Sequence, residues 1–264
     1  MPVTRSVRRA AMTAALALSI APEAAQSEAL RERVQVLESR PGVRQVLLVT
    51  EAPMQRAGEQ HAVIVLGGGG GGFAVVSRDG LPHVYGGLSL EQRQRLADRI
   101  GGAVVALSPP SDRPVMDRDW RLSNAHVCDM QSALEWVRAQ WPCAHAWVLG
   151  INDGALSAAV ATASLDDLAG AVLLSCVDEA LDQPQKSERM RVLAVRHRGG
   201  APAHVPAGCA RRTLVSVHDE RRVPQSPLHE GDALHAPRFN GKEQQVVDVV
   251  ARWILTGAAP DEIR

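Results

Sequence analysis

Gly150-Ile151-Asn152-Asp153-Gly154 is the segment whose residue types and spacing come nearest to a reaction. In a G-x-S-x-G nucleophile elbow the flanking glycines let a strand-to-helix turn tighten until the central side chain stands exposed. The backbone N–H of the following residue then donates to an oxyanion. Gly150 and Gly154 keep that geometry available, and Asp153 would supply the N–H. The apex is Asn152, a neutral amide that donates and accepts hydrogen bonds but has no hydroxyl, thiol or carboxylate to attack a carbonyl. An ordinary β–α turn, with Asn and Gly in permissive conformations, accounts for the same five residues. Asp153 stands one position past the apex, so its side chain would point away from the place of a nucleophile.

A second feature is the run of six glycines at residues 67–72. With no side chains there, Gly68, Gly69 and Gly70 can bring backbone N–H groups against a ligand, at an entropic cost on ordering. No Gly-Lys-Ser or Gly-Lys-Thr completes a P-loop. A dinucleotide fold needs glycines that open a helix directly and an acid ending the next strand, whereas residues 73–87 lack helical period and the next strand ends in Ser108-Pro109. Nine histidines are scattered without H-x-x-x-H or H-E-x-x-H spacing, and Cys128, Cys143, Cys176 and Cys209 lack C-x-x-C spacing. No motif therefore points to a metal or a cofactor. The four cysteines allow three disulfide pairings if the chain is exported, and small buried hydrophobes otherwise.

The chain has 264 residues, room for one α/β domain of the usual ~200–250 residues. Two Phe and one Tyr leave the core to Val, Leu and Ala. Acidic and basic residues balance to zero net charge, which argues against nucleic acid or an anionic membrane as partner and for a small, roughly neutral or weakly acidic ligand. At the N-terminus Arg5, Arg8 and Arg9 precede an apolar stretch over 10–21, too short to span a membrane. Residues 1–25 read as a secretory signal peptide, and therefore as export to the periplasm or beyond; an amphipathic helix is the alternative. Residues 26–264 then form a single domain.

The elements that must position the turn follow from hydrophobic period. Apolar runs at 43–50, 62–66, 103–107, 145–149, 169–176, 191–197 and 213–217 read as strands. Residues 90–100, 124–141 and 154–164 read as helices, and a last helix after Asn240-Gly241 carries Val246, Val247, Val250, Trp253 and Ile254 on one face. Strands alternating with helices imply a mostly parallel sheet covered on both faces. No repeat or internal boundary interrupts it.

With these elements placed, the chain resembles bacterial exported proteins of the α/β-hydrolase fold, the serine esterase and lipase superfamily. The likeness is carried by Val63-Ile64-Val65-Leu66 with the glycine loop, Ser111-Asp112-Arg113-Pro114, Arg121-Leu122-Ser123 with His126, the elbow, Leu173-Leu174-Ser175 and Phe239-Asn240-Gly241-Lys242-Glu243. It implies an α/β-hydrolase fold with little or no lid, a serine at the elbow, an acid after the strand ending near His197, and a histidine just before Phe239. This sequence has Asn152 at the first position, Gly199-Gly200 at the second and Pro237 at or beside the third. Triad members are useful only together, because the base takes the nucleophile's proton while the acid orients the base. Three readings follow. The first is a catalytically impaired homologue that keeps a small-molecule pocket. The second is an active hydrolase of small carboxylic esters in which His235, with Asp219 or Asp232, activates water. The third is an interaction scaffold, since folds host unrelated functions.

Overall fold

The structure is a computed structural model that describes residues 32–53, 59–68, 75–78, 81–84, 87–176, 178–187, 189–197, 212–218, 239 and 241–264. Residues from Arg31 to Arg264 form one compact unit. Its elements in chain order begin with β1 (Glu32–Arg40), β2 (Val43–Glu51), β3 (Gln60–Leu66), β4 (Val75–Arg78), β5 (Leu81–Val84), α1 (Leu90–Ile100) and β6 (Ala103–Leu107). They continue with α2 (Arg118–Arg121), α3 (Asn124–Gln140), β7 (Ala144–Ile151), α4 (Gly154–Ser164), β8 (Leu168–Leu174) and α5 (Asp178–Asp182). Last come β9 (Arg191–His197), β10 (Arg212–Val217), α6 (Glu243–Thr256) and β11 (Glu262–Ile263).

Nine strands form one sheet in the order β1-β2-β6-β3-β7-β8-β9-β10-β11. β1 and β2 pair antiparallel, as do β2 and β6, and every other neighbouring pair is parallel. The strand interiors are apolar on both faces, as a sheet covered on both sides requires. Successive residues go to opposite cores. Leu47, Ile64, Val105, Val148 and Leu173 join the cluster that includes Met130 and Leu134 of α3 and Leu156 of α4. Leu48, Val63, Val104, Trp147 and Val172 join the one that includes Leu96 and Ile100 of α1 and Val250 and Trp253 of α6.

Local chemistry starts and stops the helices. Ser89 and Gln92 form a capping box at α1, which ends on left-handed Gly101. Ser123 Oγ accepts from His126 N–H at the start of α3. From β3 the chain crosses by α1 to β6 on one side, and from β6 it crosses by α3, on the opposite face, to β7 on the other. The order of strands reverses at this point. At the carboxyl ends there, the place where open α/β sheets hold ligands, Gly68 stands against Asn152.

The expected parallel core and the helices over 90–100 and 154–164 match the observed elements. Three differences stand out. The run at 43–50 is the second strand, not the first: Pro41-Gly42 is the turn of a hairpin whose other arm is β1. Residues 73–87, in which no helical period is seen, contain the β4–β5 hairpin. The strand expected over 169–176 ends at Leu174, because Ser175 turns left-handed at φ 50°.

Candidate functional site

Asn152 follows β7 directly and has φ 50°, a left-handed conformation that Asn tolerates better than most side chains. Its N–H donates to the Leu174 carbonyl on β8 at 2.9 Å, and its carbonyl accepts from Ala155 N–H at 2.9 Å as α4 begins. The turn is thus tied to the neighbouring strand on one side and to the helix on the other. Asn152 is half-buried, and Asp153, already helical at φ −61° and ψ −26°, is exposed.

The elbow glycines are required by contact. A Cβ at Gly150 would stand 2.2 Å from the Gly154 carbonyl oxygen, and one at Gly154 would stand 2.2 Å from that of Leu66. Gly68 is buried against the apex, where a Cβ would meet the Ile151 carbonyl oxygen at 2.6 Å and Asn152 Cβ at 2.9 Å. The glycine loop and the elbow therefore touch through positions that admit no side chain.

Arg121, at the end of α2, fixes this junction from behind. Its guanidinium is buried and donates to Ser157 Oγ of α4 at 2.8 Å, to the Gly67 carbonyl at 3.2 Å and to the Met116 carbonyl at 3.2 Å. Burial lowers its pKa, opposed by the negative charges of Asp153 and Asp117. One side chain thus holds α4 and the start of the glycine loop at a fixed distance. In the sequence Arg121 stands out only by its order ahead of Leu122-Ser123, where Ser123 caps α3.

Ser175 is the strand-end neighbour of Asn152. It too is left-handed, and its hydroxyl is buried without a hydrogen-bond partner. Next along the sheet, at the end of β9, His197 stacks on Phe239 with ring centroids 5.0 Å apart and planes 24° from parallel. That contact fixes the residue from which the approach to α6 starts.

Among the sequence-predicted site residues, the structure brings together Asn152, Asp153 and Gly68. Gly69, Gly70, Gly200, His235, Pro237, Asp219 and Asp232 lie outside the described residues. Among the described residues no group of three or more His, Cys, Asp or Glu could hold a metal. No described helix is long and apolar enough to cross a membrane. Cys128 and Cys143 are exposed free thiols, and Cys176 is buried; Cys209 lies outside the described residues. Chemically, the turn offers a half-buried carboxamide on left-handed backbone beside the start of a glycine loop. Such a site binds polar groups; a carboxamide does not attack them.

No protein-family model matches the sequence, and no curated protein matches it. Solved structures do match in shape. A Pyrococcus horikoshii acylaminoacyl peptidase aligns over 85% of this chain with a TM-score of 0.56 and 11% identity. This chain spans 41% of that peptidase's length. A fungal esterase from Rhizomucor miehei aligns over 87% of this chain and 84% of its own, at TM-score 0.54 and 14% identity. A Xanthomonas campestris protein described as an a/b serine hydrolase without lid covers 87% of this chain and 97% of its own, at 0.51 and 17%. The chain has the α/β-hydrolase fold. Between β8 and β9 its described residues form only the five-residue α5, in keeping with a lidless form.

Proposed function

We propose that this chain is a catalytically impaired relative of serine esterases that keeps a pocket for a small neutral or weakly acidic molecule. The observation that carries the reading is the elbow itself. Its backbone retains the left-handed apex, both obligate glycines and the contact with Gly68, while the side chain presented there is the carboxamide of Asn152. In this reading Asn152 holds a ligand by donating and accepting hydrogen bonds, and the ligand leaves unchanged. The loss of one triad member removes the use of the other two, in line with Gly200 and Pro237 at the positions where an acid and a histidine are expected. The first 25 residues act as a signal peptide in this reading, and the protein works in the periplasm or outside the cell.

The deciding experiment is hydrolysis of a short-chain p-nitrophenyl ester by the purified chain beside an Asn152→Ala variant. Equal rates near background, with a small ester, acid or lactone bound and recovered intact, are expected. Turnover that collapses in the variant would overturn the reading. Turnover independent of Asn152 would favour displaced groups, His235 with Asp219 or Asp232, and a histidine base would then show in a pH–rate profile that changes between about pH 5 and 8. Cell fractionation with N-terminal sequencing of the product tests export separately.

A further inference from the structure

A small cavity lies behind the glycine loop, where the carboxyl ends of β3 and β6 meet the starts of α2 and α3. Its apolar walls are Leu66, Leu107 and Met116, and its polar walls include Gln45 and His126. Both of these polar side chains are 1% exposed. Among the described residues neither His126 Nδ1 nor His126 Nε2 has a hydrogen-bond partner, and the same holds for Gln45 Oε1. Three orphaned atoms on two fully buried side chains thus line one cavity. An unpaired buried donor or acceptor costs its whole desolvation penalty, so this grouping calls for an occupant.

The chemistry of that occupant is narrowly set. Gln45 Nε2 donates to the Ser108 carbonyl at 2.8 Å, which fixes the amide orientation and leaves Oε1 as an acceptor in need of a donor. His126 is neutral, because burial, with the charges of Arg121 and Arg40 nearby, pushes its pKa down to about 3. A neutral imidazole presents one N–H and one bare nitrogen. The enclosed space of about 10 Å³ is that of a single water. A molecule of that size must donate to Gln45 and pair with a ring nitrogen of His126.

We propose that this cavity is a binding site for a single sequestered water, held between Gln45 Oε1 and the imidazole of His126. The site is coupled to the elbow by contact. Arg121, also on the cavity wall, donates to the Gly67 carbonyl, and the next residue, Gly68, abuts Asn152. The bound water completes the support of the loop that faces the apex.

The test uses the full chain labelled with ¹⁵N-histidine. A cross-relaxation peak between water and a ring N–H of His126 is expected, with an exchange lifetime longer than that of surface water. It is read together with the melting temperatures of His126→Phe and Gln45→Met. With water bound, each variant loses a hydrogen bond and melts about 2–4 °C lower. In a dry cavity His126→Phe replaces two orphaned ring nitrogens by apolar atoms and raises the melting temperature; Gln45→Met also gives up the donation to the Ser108 carbonyl, so a rise there counts all the more against the water. Absence of the water peak at His126, or a higher melting temperature in either variant, would overturn the proposal. The measurement on the unmodified chain stands even where a variant does not fold.

Discussion

At the amino ends of β7 and β9, Trp147, Trp253 and Arg191 interlock. The Arg191 guanidinium lies 4.7 Å from the ring centre of Trp147 and 5.2 Å from that of Trp253, and it donates to the Ile254 carbonyl at 2.9 Å. Trp147 Nε1–H donates to His61 Nδ1 at 3.2 Å, and Trp253 Nε1–H to Thr213 Oγ1 at 3.2 Å. The carboxyl ends of the same sheet gather more polar atoms without a protein partner among the described residues, although Arg212 Nε at the amino end of β10 is one as well. His126, Gln45 and Ser175 carry orphaned atoms, and Asn152 and Ser175 hold left-handed backbone. The amino end is interlocked by aromatic and cationic contacts, and the carboxyl end holds left-handed backbone at two side-chain-bearing residues. The third left-handed side chain, Asp167, sits in the exposed turn before β8, where Asp is at ease.

The largest test of this contrast is Trp253→Ala, which opens the amino-end cluster and is expected to cost about 3–5 kcal/mol in urea denaturation. A loss below about 1 kcal/mol would break the comparison from the stable side.

Acid sharpens it next. His126 has its pKa lowered to about 3 in the folded chain, whereas an unfolded histidine titrates near 6.5. Between those values the unfolded state binds a proton that the native state excludes, so stability is full above about pH 6.5 and falls as pH drops toward 3. The slope reaches about 1.4 kcal/mol per pH unit, with the same sign added by His61, which burial also holds below its ordinary value. His126→Phe should flatten the curve measured between pH 7 and pH 4; an unchanged slope would place the acid sensitivity elsewhere.

Smaller effects run in the opposite direction. Ser175→Gly removes a strained left-handed side chain and a hydroxyl without a partner, and should stabilise by about 0.5–1 kcal/mol. Asn152→Gly relieves the same backbone conformation at a residue that bears it more easily, so its gain is expected at a few tenths of a kcal/mol. A loss in both would show that the carboxyl ends are not strained at all.

Much of the frame is legible because it depends on local pattern. The helix from Gly154 to Ser164 and the strand from Arg191 to His197 fall where composition puts them, and Val246, Val247, Val250, Trp253 and Ile254, read as one face of the last helix, are all buried. β1 escapes such reading because its pattern is inverted by partners distant in sequence. Val34 and Val36 are exposed, while Glu32 is buried in an ion pair with Arg93 at 2.7 Å and Ser39 donates to buried Asp129 at 2.6 Å. The site divides in the same way. Glycine spacing announces Asn152 and Gly68, since a tight turn is a local demand. Arg121, His126 and Ser175 acquire their roles only when α2, α3 and β8 are packed, and no spacing along the chain encodes that.

The collisions at Gly150 and Gly154 have an evolutionary consequence. Any side chain at either glycine meets a backbone oxygen at 2.2 Å, whatever the protein does for its host. Selection for folding alone therefore preserves both glycines after an activity has gone, while the residue between them is free to drift. A pair of elbow glycines therefore testifies to architecture alone, and what chemistry the turn can do rests on the side chain at its apex.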